Sequence, residues 1–129
     1  MRNRHRAIRL LSALIVLAFL ASAAAIAIAE KTPARVEGIW KLSGVGEAGN
    51  IEQTLVLSQD HDRVYGTFSG LHQSGAIDGT LEGTAITFSA KGGAVSIRYT
   101  GDVTGDTMRG TLVSLGKKGT WTARLTQPK

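Results

Sequence analysis

Apolar and polar residues alternate along most of the chain after residue 35, and Gly and Asp interrupt the alternation at short intervals. Alternation is typical of strands with one buried and one exposed face, and Gly and Asp are typical of tight turns. Outside the N-terminal segment we find no helical period. The pattern predicts eight strands, at residues 36–43, 51–59, 63–70, 75–82, 84–90, 94–103, 107–115 and 119–126.

The connections between these strands predict how they are arranged. Asp60-His61-Asp62 and Thr104-Gly105-Asp106 have the composition of hairpin turns, and the longest gap, Gly44 to Asn50, predicts a mobile glycine-rich loop. A Gly-Thr pair before a large residue recurs at Gly66, Gly79, Gly110 and Gly119. Glycines inside strands mark bends, which a sheet needs in order to curl. We therefore expect an all-β fold, an eight-stranded antiparallel up-and-down barrel, with a two-sheet β-sandwich as the alternative.

The inward-facing positions are almost wholly apolar, with Gln53 and Ser114 as the main polar exceptions. An eight-stranded barrel is either filled by its side chains or holds one small ligand, and the pattern leaves both open. If a cavity remains, an apolar ligand is expected to contact the large inward aromatic residues. These candidate ligand-binding residues are Trp40, Phe68, Tyr99 and Trp121.

The N-terminal segment has the pattern of an export signal. Four arginines precede an uncharged, apolar stretch from residue 10 to residue 29 that ends in Ala27-Ile28-Ala29. A basic start, an apolar middle and a small-residue end predict a secretory signal peptide, with an uncleaved membrane anchor as the alternative. We therefore divide the chain into a signal helix or anchor (1–29), a linker (30–35) and a β-barrel domain (36–129). The domain is predicted to be periplasmic or extracellular, or anchored and facing out of the cytoplasm.

Charge argues against nucleic-acid binding and indicates a different surface. The chain has 15 basic and 10 acidic residues; residues 1–29 contribute four arginines and no acid, so 11 basic and 10 acidic residues remain, a net charge of +1. A nearly neutral domain is a poor candidate for binding nucleic acid. Four basic residues nevertheless face outward on strands that are consecutive in a closed barrel. They are predicted to form an interaction face for an anionic lipid, glycan or protein: Lys41, Arg98, Arg109 and Arg124.

Residues that could carry catalysis or hold a metal are sparse. There is no cysteine, and after residue 29 the only histidines are His61, in a polar turn, and His72, in a loop. No G-x-S-x-G elbow and no glycine-rich nucleotide-binding motif in a strand–turn–helix setting occurs. We therefore predict no enzymatic activity, no catalytic residue, no metal site and no cofactor.

Two short segments resemble a known group of barrels. Gly38-Ile39-Trp40 resembles the G-x-W motif on the first strand of lipocalins and avidins, and Val64-Tyr65-Gly66-Thr67-Phe68 resembles a third-strand pattern of avidin-like barrels. The resemblance covers roughly residues 36–126 and implies a secreted bacterial barrel of the calycin type. Leu42 stands where avidins carry an Asn of the biotin site, so the resemblance does not imply biotin binding. The helix that closes lipocalins is also missing from the pattern.

Two hypotheses for function follow. The first is a non-enzymatic binding module of the cell envelope that holds a small apolar ligand in or at the mouth of the barrel. The alternative is a protein-interaction or inhibitor module with a filled barrel that acts through its loops or its basic outer face. Either would contact a membrane only through an uncleaved N-terminal segment, and neither predicts a particular oligomeric state.

Overall fold

The computed structural model describes residues 32–47, 49–70 and 72–129 and shows an all-β fold. Each strand pairs antiparallel with the next, and the last pairs with the first, so the sheet closes into a barrel. The predicted up-and-down barrel is confirmed. The predicted signal segment, residues 1–29, lies outside the described residues. The strands are β1 (Gly38–Gly46), β2 (Gly49–Asp60), β3 (Arg63–Gly70), β4 (Ser74–Glu82), β5 (Ala85–Gly92), β6 (Val95–Thr104), β7 (Thr107–Ser114) and β8 (Lys117–Pro128).

The predicted loop at Gly44–Asn50 is wrong. β1 continues to Gly46 and β2 begins at Gly49, so most of this segment is strand. Gly46 lies opposite Gly119 of β8, where a Cβ on Gly46 would be 2.5 Å from the Gly119 Cα. Glycine is therefore used here for a close approach of two strands rather than for a loop.

Side chains from all eight strands fill the inside of the barrel. In β1, for example, Trp40 and Leu42 are buried whereas Lys41 and Ser43 are exposed, as the alternation requires. The largest core side chains include Trp40, Phe68, Phe88, Tyr99 and Trp121. Among the described residues Gln53 is the single buried polar side chain.

Three aromatic rings pack against one another inside the barrel. Phe88 stacks on Tyr99 with 4.7 Å between ring centroids, and Trp121 meets both edge-on at 5.6 and 5.4 Å. The Trp121 indole Nε1 donates to the backbone oxygens of Thr111 (2.9 Å) and Thr100 (3.2 Å). Edge-to-face and offset-stacked arrangements are the favourable ones for aromatic rings, so this cluster is a packed core.

Glycines on β6 and β7 leave the space that Trp121 occupies. Gly101 and Gly110 lie opposite each other, and a Cβ on Gly101 would be 2.9 Å from Trp121 Cζ2 and 2.2 Å from the Arg109 backbone oxygen. A Cβ on Gly110 would be 1.9 Å from the Thr100 backbone oxygen. The Gly-Thr repeat therefore marks places where neighbouring strands come too close for any side chain.

One end of the barrel, here called the capped end, is covered by the segment before β1. Val36 is fully buried; its N–H donates to Gln59 Oε1 (2.9 Å), and its oxygen accepts from Trp40 Nε1 (2.9 Å). Gln59 Nε2 donates to the Ala34 oxygen (2.8 Å), and Ala34 N–H donates to the Gly83 oxygen (2.9 Å). Four backbone groups of the capping segment, those of Ala34 and Val36, are thus hydrogen-bonded to the barrel. The opposite end, formed by the β1–β2, β3–β4, β5–β6 and β7–β8 turns, is called the mouth.

Candidate functional site

The four aromatic residues predicted to bind a ligand all lie in the core. Trp40, Phe68, Tyr99 and Trp121 are at most 2% exposed. The polar atoms of Trp40, Tyr99 and Trp121 already bond to protein atoms. Tyr99 and Trp121 are in contact, whereas Trp40 bonds to the capping segment and neither it nor Phe68 joins a ring pair among the described residues. Their role in ligand binding stays a prediction, and a ligand inside the barrel would have to displace packed side chains.

A pocket of about 280 Å³ lies at the mouth of the barrel. It is formed where β2 and β6 begin and by the segment that joins β3 to β4, so it lies at the end opposite the cap. It is lined by Asn50, Ile51, Glu52, Gln53, Gly70, His72, Gln73, Val95 and Ile97. We call it the mouth pocket.

Gln53 connects the mouth pocket to the core. Its side chain is 8% exposed, and its Oε1 accepts a hydrogen bond from the Tyr99 hydroxyl at 3.0 Å. Burial raises the pKa of the Tyr99 phenol above its usual value, which keeps the hydroxyl protonated and able to donate. Gln53 Nε2 donates no hydrogen bond to any described residue. The Gln53 side chain is mostly buried, but its amide nitrogen is not sealed from solvent, so two N–H groups without a described protein partner lie beside the mouth pocket.

The lining of the mouth pocket is part polar and part apolar. Asn50, His72 and Gln73 offer donors and acceptors, while Ile51, Val95 and Ile97 offer apolar surface. Glu52 is the acidic residue of the lining, and no Lys or Arg is part of it. This chemistry favours an uncharged or cationic molecule with at least one hydrogen-bond acceptor.

The alternation pattern predicts only part of this pocket. Gln53 is a polar residue at an inward position, which is the one signal that the sequence offers, and His72 falls in a predicted loop. Asn50 and Gln73 carry no periodic signal because they lie at the ends of strands, where several turns meet.

The structure brings together three of the four residues of the predicted basic face. Lys41, Arg109 and Arg124 line one groove of about 480 Å³ on the outside of β7, β8 and β1. Arg98 is also exposed, but it lies opposite Ser89 and Val113 and does not line this groove. The function of this face stays a prediction.

The remaining polar cluster identified in the sequence is an exposed turn. His61 Nδ1 lies 2.8 Å from Asp60 Oδ1, and both side chains face solvent. Within the described ranges, no group of three or more His, Asp or Glu side chains is placed to hold a metal ion. The same part of the chain contains no helix that is long and apolar enough to cross a membrane.

Comparison with known proteins identifies no family. No protein-family model matches the chain, and no curated protein matches its sequence. The resemblance to calycins stays a prediction.

Proposed function

We propose that this protein is a non-enzymatic binding module, exported to the cell envelope, that holds a small ligand at the mouth of a filled barrel. The observation that carries the proposal is the Gln53 amide beside the mouth pocket: its oxygen bonds to Tyr99, and its accessible N–H groups have no protein partner among the described residues. Export rests on the predicted signal in residues 1–29.

Packing inside the barrel supports a site at the mouth rather than in the interior. The rings of Phe88, Tyr99 and Trp121 pack against one another, Trp40 and Phe68 are buried, and the capping segment covers the far end. Protein cores have packing densities close to those of organic crystals, so a ligand between these rings would require the core to be rearranged. A ligand at the mouth needs no such change.

The polar chemistry of Gln53 indicates the ligand class. The unpaired amide nitrogen of Gln53 is accessible from the mouth pocket, because no fully buried side-chain nitrogen or oxygen among the described residues lacks a hydrogen-bond partner. A ligand carbonyl or hydroxyl oxygen that accepts from Gln53 Nε2 takes the place of water at this donor. Ile51, Val95 and Ile97 provide surface for a short apolar group on the same molecule. The expected ligand is small, carries no negative charge, and joins one acceptor to one apolar group.

The lining residues also support a binding role rather than a catalytic one. The mouth pocket offers one imidazole, His72, and one carboxylate, Glu52, but no hydroxyl, thiol or amine side chain among its lining residues. Acyl-transfer chemistry requires such a nucleophile beside its base. Binding is therefore the simpler use of this pocket.

Native mass spectrometry of the protein, purified from the envelope of an expressing host in the form that the host produces, tests the proposal. We expect a reproducible mass excess that is lost on denaturation. Gln53→Leu should lose it, whereas the matched control Gln127→Leu, an exposed glutamine near the end of β8, should retain it. A bare wild-type mass, or an equal excess in Gln53→Leu, contradicts a ligand site at Gln53.

A further inference from the structure

The basic groove on the outside of the barrel has its own chemistry, separate from the mouth pocket. No residue is shared between the two linings. Three cationic side chains and three hydroxyl side chains surround the groove. They are Lys41, Arg109, Arg124, Ser43, Thr107 and Thr122.

Strand register places the three cations close together. Lys41 of β1 lies directly opposite Arg124 of β8, and Arg109 of β7 lies opposite Thr122, two residues from Arg124. Directly opposed residues have their Cβ atoms about 4.5–5.5 Å apart, and diagonal neighbours about 7–8 Å apart. Like charges at these separations destabilise a sheet. The native barrel therefore holds three positive charges where one bound anion could contact all of them.

No ion pair among the described residues neutralises the charges of the groove, although Asp102 faces Arg109 across the strands and offsets part of its charge. Arg109 and Arg124 take part in no ion pair among the described residues, and Lys41 Nζ donates to the Thr54 hydroxyl at 2.8 Å. Asp102 lies opposite Arg109, and Glu52 lies opposite Ser43, so both acids border the groove. Neither lines it or forms an ion pair within the described ranges.

We propose that this groove binds a compact oxyanion, a phosphate or sulfate group. Guanidinium groups hydrogen-bond oxyanions through two parallel N–H groups, and an ammonium adds a point charge. Hydroxyls of Ser43, Thr107 and Thr122 can donate to the remaining oxygens. Binding also removes the repulsion between Lys41 and Arg124. The group belongs either to free phosphate or to the headgroup of an anionic lipid, and the experiment separates these two sources.

Thermal unfolding in sodium phosphate, with sodium chloride at equal ionic strength as reference, tests the site. We expect a saturable rise in the Tm of the wild-type protein. Arg124→Gln and Arg109→Gln should each weaken phosphate binding by about tenfold or more, because each removes charge-assisted hydrogen bonds. Arg98→Gln, an exposed arginine outside the groove, is the matched control and should behave as the wild type.

A second readout separates site binding from a general effect of salt on folding. In low-salt buffer without phosphate, Arg124→Gln should unfold at the same temperature as the wild type or a higher one, because it relieves the repulsion with Lys41. A saturable rise of equal size in Arg124→Gln and the wild type, or no rise in the wild type, overturns the proposal. Gln53→Leu should keep the full phosphate effect, so this test is independent of the proposed mouth ligand.

Sedimentation with vesicles identifies the source of the oxyanion. Binding to phosphatidylcholine vesicles that contain phosphatidic acid, absent from phosphatidylcholine alone and lost in Arg124→Gln, assigns a lipid headgroup. A phosphate-dependent Tm rise without vesicle binding assigns a soluble phosphate group. Vesicle binding that survives equally in Arg124→Gln counts against the groove.

Discussion

The hydrogen bond between Gln53 and Tyr99 joins the core to the mouth, and it can be tested by removing its partners one at a time and together. Gln53→Leu removes the acceptor and the free amide, whereas Tyr99→Phe removes the donor. The double variant replaces both polar groups by apolar groups of similar size. The two residues are 46 positions apart in sequence, so local structure does not couple them.

The expected magnitudes follow from which group each change leaves unpaired. Gln53→Leu leaves the hydroxyl of the fully buried Tyr99 without a hydrogen-bond acceptor. This should lower the free energy of unfolding by about 1–3 kcal/mol. Tyr99→Phe leaves Gln53 Oε1 without its donor, and because Gln53 lines the mouth pocket, water can reach it; a loss of about 0.5–1.5 kcal/mol is expected. With both groups gone, neither change leaves a buried polar atom without its partner. The free energy of unfolding of the double variant should therefore be close to that of the wild type.

Urea unfolding of the four proteins measures this coupling. Unfolding midpoints and m-values give the free energies of unfolding, and the interaction energy should be about 1 kcal/mol or more. Tyr65→Phe, on the exposed outer face, combined with Gln53→Leu is the matched control pair and should be additive. If the Gln53 and Tyr99 changes are equally additive, the hydrogen bond does not couple core and mouth. If the double variant is as stable as the wild type but shows no mass excess in native mass spectrometry, Gln53 is needed for ligand binding rather than for folding.

Two further predictions concern pH and the β7–β8 turn. Burial raises the pKa of Tyr99 above its unfolded value of about 10. The contribution of Tyr99 to stability should therefore be constant below about pH 10 and fall above it. Above that pH, the free energy of unfolding of the wild type should fall by up to about 1.4 kcal/mol per pH unit more than that of Tyr99→Phe. Urea midpoints at about pH 9 and about pH 11 check this, and parallel losses in both proteins would refute it. Leu115, at φ 51° and 81% exposed, precedes Gly116 at φ 78° in the turn. Asn accepts this left-handed conformation readily, so Leu115→Asn should raise the unfolding free energy by about 1 kcal/mol. Leu115→Ala keeps the backbone strain, and equal stability of the two variants would contradict this reason.

The strands and their buried faces could be predicted because alternation is a local property. Each predicted strand boundary differs from the observed one by no more than three residues. The outward positions of Lys41, Arg109 and Arg124 followed from the same period of two. Glycine was harder to interpret, because the same residue serves a loop or a close approach of strands. At Gly46 the deciding fact is that Gly119 lies opposite, a contact between residues far apart in sequence.

Alternation along the chain is enough to predict an eight-stranded all-β domain, the apolar side chains of its interior and the outward direction of its basic residues, since a strand shows one face every second residue. Which of those residues meet depends on how strands that are distant in sequence pair with one another. The register between strands sets the level of each side chain along the barrel, and it gathers Lys41, Arg109 and Arg124 while leaving Arg98 apart. The same register brings the Tyr99 hydroxyl to Gln53, and packing between the strands fills the interior and leaves the small pocket at the mouth. Pairing between distant strands is not encoded in any local period, because it is selected by the closure of the whole barrel.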